Sequence, residues 1–121
     1  MYELIVDAVK NRLTIRIGGT IGKIEGEKIA REMVTVCNQL KRGFDVINDI
    51  SGYETADKKS EEVFKGVIEF LKVRGVRKVV RVVGGSRAAL MKFADVTKTV
   101  NNYTVQYVPT MQDAEKLLDS A

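Results

Sequence analysis

The chain has 121 residues, 45% apolar and 30% charged, with a formal net charge of +4. That length suits one domain able to bury roughly two thirds of its extended surface; with no run near the ~18 to 20 uncharged apolar residues of a membrane span and no basic-then-apolar leader, a cytoplasmic protein is expected. No histidine occurs, which removes the commonest metal ligand and general base, and with them Ser-His-Asp, Cys-His and His-based metal chemistry.

The first elements in chain order are strand-like runs at Tyr2–Val9 and 12–18, joined at Lys10-Asn11 by what reads as a tight hairpin. In the second run Leu13, Ile15 and Ile17 alternate with Arg12, Thr14 and Arg16, the pattern of a strand with one wet face. Gly18-Gly19-Thr20-Ile21-Gly22-Lys23 invites comparison with a phosphate-binding loop. A Walker loop, however, needs glycine where Ile17 stands and Ser or Thr where Ile24 stands, so the run is expected to be a structural turn. From Glu25 to Leu40, Ile29, Met33, Val36, Cys37 and Leu40 recur at helical spacing, with Lys41-Arg42-Gly43 as the stop signal. The single cysteine, Cys37, falls on the apolar side of this helix and reads as a buried structural thiol.

The run Phe44–Asp57 is expected to organise the sheet. Phe44, Val46, Ile47 and Ile50 supply strand-forming bulk, Asn48 and Asp49 come where the strand leaves the core, and Ser51-Gly52 carries turn chemistry. Thr55 or Asp57 can cap a helix running to Arg74 and stopping at Gly75, with Val63, Phe64, Val67, Ile68, Phe70 and Leu71 as its apolar face. Val76–Val83 is a near-continuous β-branched run, as in a central parallel strand covered on both faces. Arg81 interrupts it and must reach the sheet end or a partner, because an unpaired buried charge is costly. Gly84-Gly85-Ser86 then turns the chain into a helix with Leu90, Phe93 and Ala94; Tyr103–Val108 is the last strand, and Thr110 with Asp113 resembles a capping box for a terminal helix.

The expected fold is therefore α/β, in the order ββαβαβαβα: one domain with a mixed five-stranded sheet, an N-terminal hairpin plus parallel strands, flanked by four helices. In such sheets the loops after the strands' carboxyl ends line the crevice where ligands or partners bind. Ser51-Gly52 and Gly84-Gly85-Ser86-Arg87 should open onto one edge, where free amides at Ser86 with Arg81 and Arg87 could receive an anion. Ser86 acting only as a cap, with Arg81 paired to Asp49 or a neighbouring carboxylate, suits the same residues.

The hairpin, the amphipathic helix, a strand ending Asp49-Ile50-Ser51, a second aspartate at Asp57 and a terminal helix together resemble the STAS domain, the anti-sigma-factor antagonist family, over nearly the whole chain. The resemblance implies a regulatory protein-binding module whose partner is an anti-sigma-factor-like kinase or another regulator. The family continues Asp-Ser-Ser-Gly and phosphorylates a serine there; here Lys59 occupies the acceptor position and Ser60 the glycine position. The usual phosphoserine switch is thus expected to be absent, unless Ser60 or Thr55 takes the phosphate in a shifted register. The related STAS and SEC14-like proteins look similar in element order and imply a lipid or small-ligand carrier, for which an apolar cavity of roughly 300 Å³ or more would speak.

Between Lys72 and Lys98 eight basic residues face one acid, Asp95, so this stretch carries +7 and the remainder −3. Such a field favours an acidic protein, an anionic small ligand or an anionic lipid surface. Nucleic acid fits less well, since no aromatics interleave with the basic residues. No cofactor is implied, a dimer is compatible with the sequence, and catalysis on an anionic substrate carries the least support, because no pair of acids sits where one pKa would rise and the other fall.

Overall fold

In the computed structural model, residues 1–56, 58–85 and 105–120 are described, apart from the side chains of residues 55 and 56. They form a five-stranded sheet in the order β1-β2-β3-β4-β5. The strands are β1 (Tyr2–Asp7), β2 (Arg12–Ile21), β3 (Asp45–Ala56), β4 (Lys78–Val82) and β5 (Val105–Val108); the helices are α1 (Lys23–Cys37), α2 (Lys58–Arg74) and α3 (Met111–Asp119). β1 pairs with β2 antiparallel and the other pairings are parallel. The mixed sheet is as expected, but the described residues hold three helices rather than four. The fourth, opened by Ser86, lies outside the described residues, as do the first two positions of the strand expected from Tyr103.

Two turns read from the sequence are strand instead. β2 continues through Gly18-Gly19-Thr20 to Ile21, and β3 continues through Ser51-Gly52 to Ala56. Gly18 lies opposite Gly52 and Gly19 opposite Tyr53, with register shifts on both sides. Gly19 has a φ of +70°, and a Cβ on Gly52 would stand 3.6 Å from the Gly18 Cα. The contact at Gly52 is an ordinary one, and it is the positive φ of Gly19 that lets the two bulged strands stay paired beyond the rest of the sheet. Gly22 then serves as the N-cap of α1 without a side-chain cap. The hairpin is also looser than expected: Ala8–Asn11 form the turn, fixed by Lys10 N donating to Asp7 Oδ1 at 3.1 Å and by Asn11 at φ +54°.

Alternation along the strands divides the core in two. Leu13, Ile15, Ile17, Val46, Ile50 and Val79 meet Ile29, Met33, Cys37, Phe64, Ile68 and Leu71 of α1 and α2. On the opposite face Ile47, Val80 and Val82 meet Ala114 and Leu118 of α3. β4 is thus buried on both faces, as its continuous valines require; each fully buried side chain contributes about 1.5–3 kcal/mol. Burial raises the pKa of the Cys37 thiol, in keeping with a structural role.

The helix ends are held by specific bonds. α1 and α2 finish side by side before Gly43 (φ +86°) and Gly75 (φ +93°), and Gly43 N donates to Gly75 O at 2.7 Å. Arg42, following α1, donates to Val73 O of α2 at 3.2 Å, and Arg74 of α2 donates to Cys37 O of α1 at 2.8 Å. Each helix thereby supplies a cation to the other's terminal carbonyls, which carry the negative end of the helix dipole. The cap of α3 is as expected, Asp113 N donating to Thr110 Oγ1 at 3.1 Å.

α3 is fastened to β2 by Arg12, which donates to Asp119 at 2.8 Å, with Lys10 at 3.4 Å. The bond from Arg12 holds Asp119 below the ordinary carboxylate range against the opposing effect of burial, and Lys10 assists. A carboxyl that ionises more readily in the folded chain adds stability above its ordinary pKa and loses it as pH falls through the folded value. Asp119→Asn is therefore expected to melt below the native chain at neutral pH and to converge with it in strong acid. Thermal melts across that range check this, and a constant gap would contradict it.

Candidate functional site

The polar end of β3 alternates like the rest of the strand, so Asn48 and Asp49 leave on opposite faces of the sheet. Asp49, 6% exposed, accepts from Ser51 Oγ at 2.7 Å and Ser51 N at 3.1 Å through Oδ1, and from Arg16 Nε at 3.1 Å through Oδ2. The same arginine reaches Glu3 through Nη1 at 3.2 Å. The carboxylate is therefore satisfied within the sheet and holds the exposed Ser51 in one orientation.

Arg81 finds partners, as an arginine in a buried strand must, and among them are residues of both neighbouring strands. It is 1% exposed, donates to Asn48 Oδ1 at 3.2 Å and to the Tyr107 hydroxyl at 3.2 Å, and lies 5.7 Å from the Tyr107 ring centroid. Asn48 in turn donates to Ile15 O at 3.2 Å. Parallel pairing puts Asn48 and Tyr107 at the positions facing Arg81 from either side, so its fork is used across three strands. It does not pair with Asp49, and being buried it presents no charge to a partner at the surface.

Ser51 of β3 and Gly84, which follows β4, come together as expected, although Ser51-Gly52 is strand and not loop. A Cβ on Gly84 (φ +57°) would stand 3.1 Å from the Ser51 Cβ, and Gly85 is exposed beside it. Gly52 is exposed on β3 and Lys59 is exposed in the first turn of α2, in accord with a surface position for both. Ser60 is not at the surface: its side chain is 0% exposed and packs under α1, where a Cβ on Gly26 would come within 3.2 Å of its Oγ. A kinase could not reach that hydroxyl without parting the two helices. The side chain of Thr55, together with Asp57, Ser86 and Arg87, lies outside the described residues.

Asp49, Ser51, Gly52, Gly84 and Gly85 thus lie together where β4 ends and β3 runs on beyond it, with Arg16 and Glu3 added by β2 and β1. The sequence signal for Arg16 was its place on the wet side of β2; Tyr107 gave no signal of its own. Among the described residues no group of three or more carboxylate or thiol side chains could hold a metal ion. Beneath the patch, Ile15, Ile17, Met33, Asn48, Phe64 and Arg81 line a cavity of about 40 Å³, on the scale of a single water. Arg81→Ala is expected to cost about 3 kcal/mol in a denaturant titration, because it leaves Asn48 and Tyr107 short of a partner and opens a void. Arg81→Met, which keeps the volume, should recover part of that loss; an Ala variant as stable as the native chain would refute the role.

No family model and no curated protein matches the sequence. Seventeen chains among the solved structures match the fold. The anti-sigma factor antagonist SpoIIAA in its unphosphorylated form superposes with a TM-score of 0.68 at 13% identity, covering 100% of both chains. A protein of Shewanella loihica PV-4 with a SpoIIAA-like fold gives 0.72 at 11% identity, over 98% of this chain and 92% of that one. An anti-sigma factor antagonist from Mycobacterium paratuberculosis gives 0.61 at 16% identity, over 98% of this chain and 93% of that one. At these identities the likeness is one of fold, and it runs from end to end: the chain has the STAS fold of the anti-sigma factor antagonists.

Proposed function

We propose that the chain acts by binding, as a regulatory protein-interaction module in the manner of the anti-sigma factor antagonists. The observation that carries this reading is the end-to-end likeness of fold to such antagonists. The docking patch is the surface around Ser51, Gly52, Lys59, Gly84 and Gly85, at the strand ends where α/β sheets bind their partners. Asp49 acts from below by fixing the Ser51 hydroxyl. The core cavity, about 40 Å³, is too small for a lipid, whereas an open apolar groove of about 300 Å³ between α1 and α2, lined by Met33, Val34, Val63, Val67 and Phe70, is the one place among the described residues that suits the carrier reading.

SpoIIAA of Bacillus is known in a phosphorylated form. On the sequence resemblance the acceptor position falls on Lys59, whose ammonium cannot accept the phosphate of a serine switch, and burial of Ser60 argues against its neighbour as a substitute. The module is therefore read as one without that switch, its occupancy set by partner concentration.

Affinity capture from native cells followed by mass spectrometry tests both parts. A regulatory protein is expected to co-purify, and Lys59→Glu and Gly85→Arg, at exposed positions, should each reduce its recovery at least ~10-fold, the effect of about 1.4 kcal/mol at an interface contact. Intact mass should reveal no phosphate on Ser60 or Thr55. Stoichiometric phosphate there would restore the switch, and recovery unchanged by both variants would remove the patch.

A further inference from the structure

The end of the sheet opposite that patch gathers uncancelled positive charge. There the β1–β2 turn, the segment after α1 and the turn after α2 are stitched together. Asn11 accepts from Lys41 N at 2.8 Å and donates to Lys41 O at 3.1 Å, and Gly43 N donates to Gly75 O. Lys10, Lys41, Arg42, Arg74 and Lys78 share this end. Arg42 and Arg74 donate to neutral backbone carbonyls, so their charges remain, and among the described residues no carboxylate pairs with Lys41 or Lys78. Of the acids nearby, Asp45 takes the fork of Arg77 at 2.6 and 2.9 Å and Asp119 takes Lys10 and Arg12, while Asp7 accepts from the neutral Lys10 N and so offsets one of the remaining cations, leaving this end positive.

Two valines stand out of the same end. Val9, at the tip of the β1–β2 turn, is 97% exposed, and Val73, in the last turn of α2, is 75% exposed. Basic residues alone would be an ordinary solvated surface. Bare apolar side chains set among them are the combination that meets a lipid interface, cations at the headgroups and valines at the acyl boundary. An acidic protein would use the cations and leave Val9 without a role; nucleic acid would ask for stacking aromatics, which this cluster lacks. None of the described helices is long and apolar enough to cross a bilayer, so such contact is peripheral.

We propose that this basic end, with Val9 and Val73 at its tips, is a docking surface for anionic lipid bilayers. Lying at the far end of the strands, it leaves the Ser51–Gly84 patch facing away from the membrane and open to a protein.

The test is co-sedimentation of the full chain with vesicles of phosphatidylcholine alone or mixed with phosphatidylglycerol, across a salt series. Binding is expected to the anionic vesicles only and to weaken as salt rises. Lys41→Ala should weaken it about five-fold, and Val9→Ser several-fold with the charge unchanged. Both positions are exposed, and thermal melts establish that the variants fold. Lack of sedimentation with anionic vesicles at low salt overturns the proposal. Binding that the paired change Val9→Ser with Val73→Ser leaves intact also overturns it, reducing the effect to attraction between a basic protein and any polyanion. So does equal competition by soluble polyglutamate or glycerol phosphate, which would make the end a site for acidic chains or small anions.

Discussion

The parallel pairing of β2 with β3 is the constraint on which the remaining architecture rests. It sets Asn48 beside Ile15, whose carbonyl takes the Asn48 amide, and sets Asp49 beside Arg16, whose guanidinium takes the carboxylate. Asn48 then faces Arg81 in the next strand, and Arg81 faces Tyr107 in the one after. Polar groups buried in a sheet are tolerated only when every neighbour is in register. A slip of one residue between β2 and β3 would send Asn48 to the α3 face and Asp49 into the apolar layer under α1 and α2. The hydrophobic alternation and the polar chain specify the same register, a consistency expected of a sequence with one folded state.

Much of this was legible from the sequence because it is local. The valines of β4, the stop signal at Gly75 and the Thr110 cap each act within a few residues, and the structure has them where the spacing put them, while α1 ends at Cys37, short of the expected Leu40 and of the Gly43 signal. The glycine runs were not legible, because what keeps them in strands is each other: Gly18 and Gly52 are far apart in sequence and poor strand formers alone. Ser60 was misplaced for the same reason, its burial depending on Gly26 in another helix. Arg81 was rightly marked as needing a partner, yet its partners lie one strand away on either side, beyond the reach of pattern reading.

Charge shows the same division between composition and placement. The sequence locates its basic excess between Lys72 and Lys98, whereas folding brings the beginning of that stretch beside Lys41 and Arg42 and buries Arg81. Residue counts describe the strength of the field at a distance; the fold decides which cations reach a surface and which hold the sheet together.

The crossed arginines at the ends of α1 and α2 have a mechanical meaning. Hydrogen bonds clamp the two helices together where they finish, while at their beginnings Gly26 of α1 packs on Ser60 of α2 and Glu25 of α1 pairs with the Met1 amino group at 3.3 Å. The spacing of the helix pair over the sheet is thus set from the end far from Lys59, by arginines that each close the other helix's last turn.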